Sequence, residues 1–330
     1  MNFSEYTLVS FGDSFTFGED TVPFPDLTTV YDRESADKIE KRYKFNCNKN
    51  SYTQFLADNL GFKDSLNFGT RGASNERSMT NLESFLRNNP KKKVFVLFNF
   101  TCSSRYVQFF KEEKGEEYGV EDMLAHQPHF SSDTPKYAGI NSKIIAHHWT
   151  FFRNNIQEVY NHVKQRRAVY YILSSYDVPY ITFDGINDMD ARILSNNPLQ
   201  YINKKNIGGG YGNFMYNDDE SYVFKEMDFL NSYYEELVNN TPLLTHITID
   251  KLNKSRNVYG YIINKGKKLH NDEKYYKRHT HHGPDTGHWN SEGLRAVDNR
   301  YPLYGDLHWN SEGHIEVAKL IEKFINERYK

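Results

Sequence analysis

Hydrophobic positions along the chain fall into two patterns. Continuous apolar runs of strand length occupy residues 6–11, Val94–Phe100, 168–173 and 244–249, with a shorter one at 65–68. Between them, residues 51–60, 75–86 and 143–163 carry apolar side chains at the three- and four-residue spacing of a helix. A strand buried on both faces reads as an unbroken apolar run, whereas a strand with one wet face alternates. Runs of the first kind separated by helices predict an α/β fold: a three-layer α/β/α sandwich around a mostly parallel, five-stranded sheet. Residues 313–329 place Ile315, Ala318, Leu320, Ile321, Phe324 and Ile325 on one stripe with Glu and Lys opposite, which predicts a terminal helix docked on that sheet.

Three stretches interrupt the alternation. Residues 103–140 are charged and then Pro- and Ser-bearing; 177–219 hold Asp184-Gly185, Asn197-Pro198 and Gly208-Gly209-Gly210; 251–304 are basic, aromatic and rich in histidine. Loops of this length in a compact domain serve function, so the expectation is a single domain over 1–330 with insertions at about 103–140, 177–219 and 251–304 shaping one face. The triple glycine is followed by no Lys-Ser/Thr and by no dinucleotide spacing, and it reads as a turn.

Composition narrows the classes of partner. A formal net charge of -2 over 330 residues gives no basic field for a nucleic acid. No apolar stretch approaches the roughly 20 residues of a spanning helix, so no membrane insertion is expected. The chain runs from Met1 into its first strand without an export signal, and two cysteines, Cys47 and Cys102, are too few for a disulfide framework. The expected location is cytoplasmic, or a virion if the protein is phage-encoded.

Candidate chemistry lies at the two ends. The first apolar run ends in Gly12-Asp13-Ser14-Phe15-Thr16-Phe17-Gly18, a serine at the mouth of a strand, where α/β folds collect their ligands. The hexapeptide His-Trp-Asn-Ser-Glu-Gly stands twice near the other end, at 288–293 and 308–313, each copy shortly after an aspartate. An imidazole can take a serine proton and return it near neutral pH, and a carboxylate fixes its tautomer. Together they suggest a triad assembled by folding. Only the second copy leads into the long helix, so Ser14, His308 and Asp306 are the expected triad, with His288 and Asp285 as the alternative pair. Seven of the thirteen histidines lie between His270 and His314. His279, His281, His282, Asp285 and His288 match no zinc spacing, and neither metal nor cofactor is expected.

These motifs resemble blocks of the SGNH/GDSL hydrolase family. Gly12-Asp13-Ser14 with Phe15 and Gly18 is similar to its first block; Asn67-Phe68-Gly69-Thr70-Arg71-Gly72-Ala73-Ser74-Asn75 is similar to its second. Asp306-Leu307-His308 is similar to the Asp-x-His form of its fifth. The third block, usually Gly-x-Asn, is replaced by Asn99-Phe100-Thr101. The resemblance implies a flavodoxin-like sheet and a serine esterase forming a covalent acyl-enzyme. Its oxyanion would be held by the N–H groups of Ser14 and Gly72 and by Thr101, or alternatively Asn99, since both point to one side of an extended segment. The implied substrate is a small ester or an O-acylated glycan. Alternatives are an inactive SGNH-fold virion or assembly protein, with contacts between copies or virion components through the insertions, and an O-acyltransferase using the same residues.

Overall fold

The computed structural model describes residues 1–19, 21–22, 33–101, 106–111, 118–123, 155–185, 246–247, 257–270 and 308–329. Its elements in chain order are β1 (Thr7–Phe11), α1 (Ser14–Phe17), α2 (Arg33–Lys49), α3 (Tyr52–Leu60), β2 (Asp64–Asn67), α4 (Asn75–Asn88) and β3 (Val94–Phe100). There follow an antiparallel hairpin of β4 (Tyr106–Lys111) and β5 (Tyr118–Met123), α5 (Asn155–Ser175), β6 (Tyr180–Asp184), β7 (His246–Ile247), α6 (Val258–His270) and α7 (Ser311–Tyr329).

The sheet is parallel, with β2, β1, β3 and β6 adjacent in that order. Its four full strands fall short of the five expected. Of the run at 244–249 the described residues are His246 and Ile247, which form β7 and pair with Thr182 and Phe183 at the edge. Successive side chains of a strand point to opposite faces, and both faces here are buried. Leu8, Phe95, Leu97, Ile181 and Phe183 pack with Tyr52 and Leu56 of α3, Val258 and Ile262 of α6, and Val317, Ile321 and Phe324 of α7. Val9, Phe11, Val96, Phe98 and Phe100 pack with Leu82 and Leu86 of α4 and with Val169 and Leu173 of α5. Each such side chain contributes about 1.5–3 kcal/mol by leaving water. No helix among the described residues is long and apolar enough to cross a membrane.

Three expectations are corrected. Residues 168–173 are not a strand but the end of α5. Buried His162, Gln165, Arg166, Val169 and Leu173 recur there at helical spacing, while Tyr171 is exposed. A short apolar run does not by its own pattern separate a strand from a helix with aromatic residues on its outer side. The sheet position is taken by Tyr180–Asp184, so the segment read as an insertion from 177 begins with a core strand. Likewise 258–270, inside the stretch 251–304, form α6, whose Val258 and Ile262 are fully buried. Of the helix expected at 143–163, the part from 155 is helical, and residues 143–154 lie outside the described residues.

Candidate active site

The chain leaves β1 to form β2 on one side of it and then crosses to form β3 on the other. The strand order therefore reverses at the boundary of β1 and β3, and in open α/β sheets ligands bind beyond the carboxyl ends of the strands at such a reversal. Gly12, Asp13 and Ser14 follow β1 there; Thr101 follows β3.

Local chemistry sets the turn that presents Ser14. A Cβ on Gly12 would lie 2.2 Å from Thr16 Oγ1 and 2.9 Å from Asn99 Cβ, so the close approach of these segments requires glycine. Asp13 caps α1, its Oδ1 accepting the Phe15 N–H at 3.1 Å. Gly18 closes the four-residue helix by donating its N–H to Ser14 O at 3.1 Å. Ser14 is thus held at the first position of a turn fastened at both ends.

His308 comes from the far end of the chain. Its Nε2 is 2.8 Å from Ser14 Oγ, across 294 positions of sequence. Both residues are buried, at 5% and 7% exposure, so water competes little for this contact. The His308 ring packs on Phe15 with centroids 4.7 Å apart, and the next residue, Trp309, is fully buried against the same ring. Asn310 caps α7, accepting the Gly313 N–H on its side chain at 2.9 Å. His314 Nδ1 accepts the Tyr52 N–H at 3.0 Å, tying the start of α7 to the start of α3. The histidine therefore precedes an anchored helix. If its Nε2 accepts the serine proton, Nδ1 carries the resting one. Asp306, His288 and Asp285 lie outside the described residues, as do His279, His281 and His282. Among the described residues no group of three metal-ligating side chains converges.

The second motif wraps α1. Asn67 Nδ2 donates to Thr16 O at 2.6 Å, and the Thr70 N–H donates to Gly12 O at 3.1 Å, which brings Gly72 to the same end of the sheet. Gly72 has φ of 71°, a left-handed conformation that side chains rarely adopt, and a Cβ on it would touch nothing within 4 Å. The N–H groups of Ser14 and Gly72 donate to no atom among the described residues. The other expected oxyanion donors are engaged elsewhere. Thr101 Oγ1 donates to Asp13 Oδ2 at 2.6 Å, and Asn99 Nδ2 donates to Thr16 Oγ1 at 3.1 Å. The Thr101 backbone is also fixed: its N–H donates to Asn75 Oδ1 at 2.8 Å, and Asn75 Nδ2 returns a bond to Thr101 O at 3.0 Å.

Sequence reasoning missed several polar residues around this site. Glu19 is buried, with Oε2 3.6 Å from His308 Nε2, and Oε1 accepts Arg71 Nε at 2.9 Å. Arg71 sits inside the second motif and Glu19 directly follows the first, but a pair 52 positions apart leaves no spacing signal. Asp184, at the carboxyl end of β6, is buried against Arg166, which it ion-pairs, and against His162 Nε2 at 3.6 Å. Burial pushes the Asp184 carboxyl above its ordinary value, against the opposing pull of Arg166 and His162. The i, i+3, i+4 spacing of His162, Gln165 and Arg166 could have exposed this face had the helix been recognised.

Scans against protein-family models and against curated proteins give no match to this chain.

Proposed function

We propose that the chain is a serine ester hydrolase of the SGNH/GDSL type, folded as a three-layer α/β/α sandwich whose loop insertions border the substrate. The observation that carries this reading is the buried 2.8 Å contact between Ser14 Oγ and His308 Nε2 at the strand-order reversal. Ser14 Oγ attacks the ester carbonyl carbon as its proton passes to His308 Nε2. The negative charge gathers on the carbonyl oxygen, and the unengaged N–H groups of Ser14 and Gly72 are its donors. Collapse breaks the ester C–O bond, and His308 returns the proton to the leaving alcohol. Water then repeats the sequence on the acyl-enzyme, and Asp306 is the carboxylate proposed to orient His308. Short-chain esters and O-acetylated glycans are the proposed substrates.

One observation favours a scaffold without turnover: the Thr101 hydroxyl and the Asn99 amide are directed to Asp13 and Thr16, so neither expected side-chain donor is turned to an oxyanion. Labelling with a fluorophosphonate probe separates the two readings. An esterase is labelled in the wild type and unlabelled as Ser14→Ala; absence of labelling in both overturns the hydrolase reading.

A further inference from the structure

A carboxylate faces the histidine on the side of the serine. Glu19 divides its two oxygens: Oε1 accepts Arg71 Nε at 2.9 Å and lies 2.8 Å from Arg71 Nη2, while Oε2 is 3.6 Å from His308 Nε2. Glu19 has a side chain only 6% exposed, and a carboxylate so buried requires a compensating charge. Arg71 supplies it from a side chain 42% exposed, one residue before Gly72. Beside the imidazole stand Ser14 and Phe15 from α1 and Glu19 from the segment after α1, with Arg71 acting through Glu19. His314 of α7 faces Trp309 and Tyr52 instead.

We propose that Glu19 is a positioning residue for His308, and that the Glu19–Arg71 pair sets how readily the imidazole takes a proton. This rests on the reading of Ser14 and His308 as nucleophile and base. As the Ser14 oxygen bonds to the carbonyl carbon, its proton moves to His308 Nε2, and a positive charge appears 3.6 Å from Glu19 Oε2. Glu19 stabilises the imidazolium until the proton leaves with the alcohol. Unopposed, the same carboxylate would also hold the resting histidine protonated and unable to act as a base. Arg71, bound to the other oxygen, limits that effect.

The test reads the imidazole directly. In a Ser14→Ala background, the His308 ring is titrated by NMR, its signal assigned by its loss in Ser14→Ala/His308→Ala. Removing a nearby negative charge disfavours the protonated ring, so Glu19→Gln is expected to lower the midpoint by about half a pH unit or more. Arg71→Met leaves the negative charge uncompensated and raises it by a similar amount, while Arg71→Lys keeps the charge and stays near the starting value. With Ser14 present, the acid limb of kcat/KM for an aryl acetate should move the same way in each variant. If Glu19→Gln does not fold, the half-exposed Arg71 variants carry the test alone. Midpoints unmoved by Glu19→Gln and Arg71→Met, in a protein whose wild type hydrolyses the ester, overturn this inference and leave the esterase reading standing. Shifted midpoints without wild-type turnover remove the esterase reading and keep the pair's control of the ring.

Discussion

Replacing Thr101 by valine keeps the side-chain shape and deletes one hydroxyl, so it asks where that hydroxyl acts. It donates to Asp13 Oδ2 at 2.6 Å, and the two residues are 1% and 0% exposed. A hydrogen bond to an ionised group contributes about 1.5–3 kcal/mol, and a buried carboxylate that loses a donor gains no water in exchange. Two further contacts of Asp13, with the Phe15 N–H at 3.1 Å and Asn99 Nδ2 at 3.5 Å, are longer than the bond removed. The expected loss is about 2 kcal/mol, which lowers the midpoint of a urea titration followed by tryptophan fluorescence. Turnover should fall less than about tenfold, since the Ser14–His308 contact does not pass through Thr101. A donor to the oxyanion behaves oppositely, its removal costing about a hundred- to a thousandfold in kcat. Unchanged stability with a hundredfold loss of turnover would refute the assignment of this hydroxyl to Asp13.

Ser14→Ala should leave the unfolding free energy from urea titration within about 0.5 kcal/mol and lower hydrolysis of an aryl acetate by several orders of magnitude, roughly the scale of removing a triad member; equal rates in both proteins would sink the nucleophile assignment. His308→Ala should abolish turnover, while His288→Ala changes it less than about tenfold, the scale of loop repacking rather than loss of a base. The reverse ranking makes His288 and Asp285 the working pair. Asp184 gives a pH test. Its carboxyl is raised above 3.8 by burial, so between that value and the folded one the native protein holds a proton the unfolded chain has released. Stability relative to Asp184→Asn should fall as pH climbs through that window, and a difference constant with pH in urea titrations would contradict it.

How legible was this in the sequence? Strands buried on both faces announce themselves, and β1 and β3 were read almost to the residue because nothing in them alternates. The same simplicity misled at 168–173, where Val169 and Leu173 face the core and Tyr171 faces water; aromatic residues on the wet side hide the helical period. Strand β6 was overlooked because its five residues include Thr182 and Asp184 and adjoin Gly185. At the site, Ser14 and His308 were named from motifs. The partners that fix them were not, since Asp13–Thr101, Glu19–Arg71 and Asn75–Gln165 are pairings across 88, 52 and 90 positions. Such contacts exist only through the fold.

Ser14 and His308 are separated by 294 positions, so a ribosome finishes the first long before it makes the second. At about 5–20 residues per second, the gap is roughly 15–60 s. During that interval β1, β2 and β3 are all made and can pair, but Ser14 lacks its His308 partner, and the face of the sheet that α7 covers stays open. On the proposed reading of Ser14 and His308, a nascent chain would be chemically silent until α7 docks. The docking that brings His308 to Ser14 also covers that face of the sheet, so under the proposed function catalytic competence would arrive together with closure of this part of the core.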